Sequence, residues 1–288
     1  MQAFAAWLIA RPQNAILGLA VTLMLPAPQL TSGVILVTLV LAQGLRMAAV
    51  EAAIAAAALI ALSLLLGSSL ASLTTLMVGT WLPVVILAML LARVRSLTLT
   101  MQLLVIVTVA GLLGFYAVVA DPAAFWQPYL TTMAEIARQS NLQLNTELLT
   151  AEVMTVSAAL AFWLLYAAGL LMGYALYRQL PRETGEFGRF RDLNFGRVLA
   201  SIMALASLLA FVVDVNWLQN LAFVMFVIFW LQGLAILHWL HAGGYLPLGA
   251  LVAIYILLPI LQVLLVTALA IVGFTDAWFG YRHRMKKT

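Results

Sequence analysis

The side chains of this chain best placed to do chemistry inside apolar stretches are Glu51, Asp214, Asn220, Trp230, Gln232 and Gln262. A carboxylate within a membrane span is costly, so it is paired or functional. Glu51 lies five residues beyond Arg46, about one turn inside an apolar run, where it can contact a ligand, relay a proton, or pair with Arg46 or Arg93. Asp214, Asn216 and Asn220 cluster at a helix junction, as lining of a polar cavity or as caps of a solvated turn. Gln232 and Gln262 both fall near mid-span, where an amide must find a partner. They are expected to bond each other and lock two helices; the alternative is that they face a substrate. Trp163 and Trp230 sit deeper than the other tryptophans and are candidates for lining a cavity, whereas the interfacial belt takes the rest.

Other chemistry is poorly supplied. His238 and His241 share a helical face, but a metal needs a third ligand and no carboxylate is near in sequence. The absence of cysteine excludes disulfides and thiolate sites. There is no phosphate-binding lysine loop, no paired-histidine protease helix and no serine elbow. No catalytic residue, metal or cofactor is expected, and the chain reads as a non-enzyme.

The elements that must hold these residues follow from composition. Of 288 residues 65% are hydrophobic and 8% charged, against roughly 25% charged in soluble domains. A bilayer resolves the surplus, because the outside then faces hydrocarbon. The expected fold class is all-α, a polytopic transmembrane helix bundle forming one integral membrane domain over residues 1–288. About eight or nine spans are expected, near 13–25, 30–45, 47–66, 71–92, 97–119, 152–177, 198–213, 217–240 and 247–275. The net charge of +4 comes from loop arginines and carries no expectation of nucleic-acid binding.

Charge placement orients the bundle. Arg11, Arg46, Arg93, Arg95, Arg178, Arg182, Arg189, Arg191 and Arg197 fall on one side, against Arg138 alone on the other. The positive-inside rule puts that first side, with the N-terminus, in the cytoplasm. Three spans after residue 197 would leave Arg282, Arg284, Lys286 and Lys287 outside. A cytoplasmic C-terminus is favoured by the charge rule, and a break of the last stretch at Pro259 is one way to reach it.

Two connections look interfacial. In 120–151, Phe125, Tyr129, Met133 and Ile136 recur at helical spacing, with Asp121 as N-cap before Pro122. Asn145 or Thr146 is expected to cap the next helix. In the cytoplasmic loop 178–197, aromatics alternate with arginines. It reads as a loop hugging anionic headgroups, and Arg182, Phe187, Arg189, Phe190 and Arg191 form a possible docking surface for a partner. Ala49, Ala53, Ala57 and Ala61 repeat every fourth residue, a pattern that lets helices approach closely in lipid. Packing within the chain is the expected use, and docking of another subunit the alternative.

Leu180-Pro-Arg-Glu, Phe187-Gly-Arg-Phe-Arg, Gln232-Gly-Leu-Ala-Ile-Leu-His and Gly273-Phe-Thr-Asp-Ala-Trp-Phe-Gly-Tyr-Arg together resemble the YybS-like family of bacterial membrane proteins. That family is distantly similar to the substrate-binding subunits of energy-coupling-factor transporters, in which an alanine-every-fourth face docks the energising subunit. The resemblance implies a bacterial inner-membrane transport component that binds a small hydrophobic or amphipathic solute, with Ala49 to Ala61 as the docking face. It transfers no substrate and no catalytic residue. The alternatives are an envelope scaffold that recruits partners through its loops, and a lipid-handling protein.

Overall fold

The computed structural model describes residues 2–140, 150–181 and 184–285, apart from the His283 side chain. Every regular element among them is helical. They are α1 (Gln2–Ala10), α2 (Pro12–Leu23), α3 (Pro28–Gln43), α4 (Leu45–Leu65), α5 (Leu70–Val94), α6 (Leu97–Val118) and α7 (Pro122–Gln139). After these come α8 (Ala151–Tyr177), a 3-10 turn at Phe190–Asp192, α9 (Gly196–Val212) and α10 (Asn216–Ala242). The chain closes with α11 (Leu248–Leu257), α12 (Gln262–Phe279) and the short α13 (Tyr281–Met285). The polytopic helical class is as expected.

Among the described residues fewer helices reach the length of a membrane span than the eight or nine expected. Six helices among the described residues, α4, α5, α6, α8, α10 and α12, are long and apolar enough to cross a bilayer. A seventh span arises if α1 and α2 count as one, although they meet at 114°. At 16, 17 and 10 residues, α3, α9 and α11 fall short of the roughly 20 that a crossing needs. The stretch expected as one span at 247–275 is divided at 258–261 into α11 and α12, at Pro259. The expected cap at Asn145 or Thr146 lies outside the described residues.

The chain divides into two compact units, Met1–Thr100 with Trp163–Gly188, and Met101–Phe162 with Arg189–Thr288. In the first, α3 is the central helix, buried over most of its length from Ser32 to Val40. Ser32 donates to the Leu19 carbonyl (3.2 Å) and accepts from the Trp81 indole (2.8 Å), tying α3 to α2 and α5. The second half of α8 lies against α3 through Gly169 and Gly173. A Cβ at Gly173 would meet Val37 at 2.5 Å, and one at Gly169 the Gln29 carbonyl at 2.7 Å. Thr38 donates across this contact to the Gly173 carbonyl (3.1 Å). This is the close approach that small residues four apart permit in lipid.

In the second unit, α10 and α12 cross at glycines. A Cβ on Gly233 would overlap the Leu269 backbone, and one on Gly273 the Phe229 carbonyl. The amphipathic connection is helical as expected. Asp121 caps α7 by accepting from the Ala124 N–H (3.0 Å), and Phe125, Tyr129, Met133 and Ile136 all present exposed apolar surface.

Candidate functional site

The side chains singled out from the sequence separate into different places. In the first unit Glu51 is buried on α4, and its partner is the Gln43 amide rather than Arg46 or Arg93. The alanine face is not where α4 packs. Its buried side is Ala48, Glu51, Ala55, Leu59 and Ser63, whereas Ala49, Ala53, Ala57 and Ala61 are exposed. The two stripes are one residue apart and so about 100° apart around the helix. The expectation of packing within the chain through Ala49 to Ala61 is therefore corrected.

The basic loop is strapped down, not loose. Phe187 is buried against Tyr174 and Tyr177, and the Tyr174 hydroxyl accepts from the Phe187 N–H (2.8 Å). The Leu97 N–H, at the start of α6, donates to the Phe187 carbonyl (2.6 Å). Phe187 is thus unavailable to lipid or to a partner, because its ring completes an aromatic stack. Arg189 is exposed, while Arg182 lies outside the described residues. In the second unit Phe190 meets the His238 ring edge-on, so that histidine serves an aromatic contact.

The strap continues into the second unit over a buried polar knot. Leu193 and Phe195 are fully buried. Gln102 of α6 donates to the carbonyls of Asn194 and Phe195, both at 3.0 Å. Gln232 of α10 accepts from the Phe195 N–H (2.7 Å) and donates to Asp276 Oδ2 (3.1 Å). Arg282 binds that same oxygen through Nη2 (2.7 Å) and Nε (3.1 Å). Its remaining donors reach the carbonyls of Arg191 and Leu193, both at 2.9 Å. Asp276 Oδ1 has no hydrogen-bond partner among the described residues. The expected Gln232–Gln262 pair is therefore overturned. Gln232 is taken by Asp276 and the strap, and Gln262 is exposed on the first turn of α12, where water or headgroups can satisfy it.

Asp276 and Arg282 were the missed pair. Six residues apart, they would not share a face of one straight helix. Gly280, with φ +60, ends α12 in the left-handed conformation and turns Arg282 back. A glycine just past an apolar span, followed by an arginine, is the signal that was available. The tail thereby returns to the 191–193 backbone.

The junction residues also part company. Asp214 accepts from Gln219 (2.8 Å) at the surface. Asn220 donates to the Tyr116 hydroxyl (2.5 Å) and the Glu152 carbonyl (3.4 Å), and Asn216 to the Glu152 carboxylate (2.8 Å). Trp230 and Trp163 bury indole N–H groups without a partner among the described residues, and neither borders the cavity described next.

What offers room is a partly open cavity of about 330 Å³ in the second unit. Its walls are Gly111, Leu112 and Phe115 of α6, Phe125 and Trp126 of α7, and Ala158, Ala159 and Phe162 of α8, among others. The amphipathic α7 is held over it by Trp126, whose indole donates to the Thr155 hydroxyl (2.8 Å). That hydroxyl donates in turn to the Ala151 carbonyl (2.7 Å), and Thr108 to the Leu104 carbonyl (2.9 Å). Both lining hydroxyls spend their protons on their own helices. The cavity suits an apolar guest and offers a polar one little. No group of acidic, histidine or cysteine side chains able to hold a metal occurs among the described residues.

The comparisons with known proteins reach only the family. A family model described as "Predicted membrane protein (DUF2232)" matches residues 126–277, more than half of the chain. The matched stretch opens at Trp126 and includes Glu152, Thr155, Gln232 and Asp276. No curated protein and no solved structure matches. The chain belongs to the DUF2232 family of predicted membrane proteins.

Proposed function

We propose that this membrane protein binds a small hydrophobic or amphipathic solute in the cavity between α6, α7 and α8, as a component of a transport system. The cavity carries the reading. Its volume of about 330 Å³ lies at the small end of the roughly 300–1,000 Å³ typical of ligand pockets, and its lining is almost wholly apolar. The test uses Gly111, where an added Cβ meets nothing within 4 Å. Gly111→Phe should fill the cavity without moving backbone. Native mass spectrometry of protein purified in mild detergent should show a retained solute. The variant should lose it at least about tenfold, a deficit of roughly 1.4 kcal/mol in binding, with thermal stability unchanged or raised. Equal retention by both proteins would dismiss the cavity as the site.

The exposed Ala49–Ala61 face supports the transport half of the proposal, because small residues left unpacked by the chain's own helices admit a helix from another subunit. Under this reading an energising subunit seats there. Ala53→Trp and Ala57→Trp should reduce its co-purification without lowering the stability of the chain itself. A drop in stability comparable to that of Ala55→Trp, on the buried face, would count against a free docking face. Recruitment through the loop is the weaker reading, since Phe187 is buried in the strap.

A further inference from the structure

The cavity occupies one half of the depth that α6 spans. On α6 (Leu97–Val118) its lining runs from Val107, at the middle of the helix, to Phe115 in the last turn. On α8 it runs from Thr155, one turn inside the start at Ala151, to Phe162. The deepest of these, Val107 and Phe162, each lie 11 residues from the α7 end of their helix, about 16 Å at 1.5 Å per residue. A hydrocarbon core of about 30 Å gives each leaflet about 15 Å. The cavity therefore has the depth of one leaflet, from α7 to about the bilayer midplane.

It also opens sideways. Val107 and Phe125 line it yet are 55% and 42% exposed, and in a bilayer such apolar surface meets lipid tails. Phe125 begins the exposed stripe continued by Tyr129, Met133 and Ile136, surface of the kind that beds into the membrane interface. The space is narrow. About 330 Å³ over the roughly 12 Å of axis between Val107 and Phe115 is about 28 Å² in section. A helix about 10–12 Å across needs more than twice that, so no helix of another subunit enters. Nor does the lining hold a polar group. The Thr108 and Thr155 hydroxyls donate to their own helices, and the Trp126 indole donates to Thr155.

Resting on the cavity reading above, we infer that the solute is a bilayer lipid, taken by one hydrocarbon chain from the leaflet at the α7 end. That chain lies between α6, α7 and α8, and the headgroup stays outside beside α7. Recognition falls on the chain, since no free polar group in the cavity reads a headgroup.

The test is photolabelling of the full chain in vesicles of phosphatidylcholine and phosphatidylglycerol, read by peptide mass spectrometry. A trace of either lipid carries a diazirine midway along one chain. Adducts should form on Leu112, which lines the cavity and is buried from the surface, and on Phe162, equally with both headgroups. Gly111→Phe and Ala158→Phe fill the space from α6 and from α8, and each should lower these adducts at least about tenfold. Labelling at Leu65 and Val263, strongly exposed on other helices, should not change, which shows that the variants are folded and inserted. Adducts at Leu65 and Val263 alone, or adducts at Leu112 that follow the headgroup, overturn the lipid-chain assignment. The cavity reading then stands if Gly111→Phe still releases a retained solute that is not a lipid. Adducts at Leu112 and Phe162 that neither substitution lowers overturn the cavity reading and this inference with it.

Discussion

Arg282→Leu should lower the unfolding free energy by about 3–5 kcal/mol, the range for removing one partner of a buried ion pair. The guanidinium makes four contacts of 2.7 to 3.1 Å, two to Asp276 Oδ2 and two to strap carbonyls. Without it, Asp276 keeps only the Gln232 amide, and the carbonyls of Arg191 and Leu193 lose their donor. Equilibrium unfolding in mixed micelles, with increasing mole fraction of denaturing detergent, measures the loss. The double variant Asp276→Leu/Arg282→Leu should lose clearly less than the sum of the single variants, because no lone charge then remains buried. The chain has no cysteine, so Leu193→Cys gives a clean second readout: its thiol should label slowly in the parent and rapidly beside Arg282→Leu. A stability change within about 0.5 kcal/mol, the range of ordinary surface substitutions, would mean that the knot does not hold the strap.

Gly233→Leu and Gly273→Leu should each cost about 3 kcal/mol or more, the upper end of overpacking penalties. The obstruction is backbone, since a Cβ on Gly233 falls on Leu269 and one on Gly273 on the Phe229 carbonyl. No rotamer change relieves it, so α10 and α12 must separate. Their separation would also pull Gln232 from Asp276. Gly114→Leu is the control, an α6 glycine whose added Cβ meets nothing within 4 Å. There the better helix propensity of leucine should leave stability unchanged or raise it by up to about 1 kcal/mol. The same micelle titration reads all three. Equal losses at positions 114 and 233 would show that the crossing is not tightly packed.

These expectations depend on contacts that were unequally legible in the sequence. The N-cap at Asp121 was readable because a cap is a local event, one carboxylate and one N–H three residues on. The apolar stripe of α7 was readable because that helix has a polar side to contrast with it. For α4 no such contrast exists. Ala48, Ala52 and Ala56 form as good a small-residue stripe as Ala49, Ala53, Ala57 and Ala61, and lipid is as apolar as a packed neighbour. Hydropathy therefore marked the helix but not its packing side. Of the later cavity walls, Phe125 was noted only for its spacing and Trp126 only as one of the belt, and the glycines of α6 carried no visible signal.

What sequence alone determined was the solvent of the fold and the state of its backbone. Overwhelmingly apolar runs without cysteine, punctuated by proline, glycine and arginine, require helices in a bilayer, since a lipid-exposed backbone must satisfy its own hydrogen bonds. The tertiary structure decided which polar groups meet. A mid-span glutamine has to find a partner, but its partner is set by the distance between helices that lie 44 residues apart in the Gln232–Asp276 bond and 37 in the Phe195–Gln232 bond. Spacing along one helix cannot encode those distances. The same holds for the cavity, an empty volume defined by three helices at once.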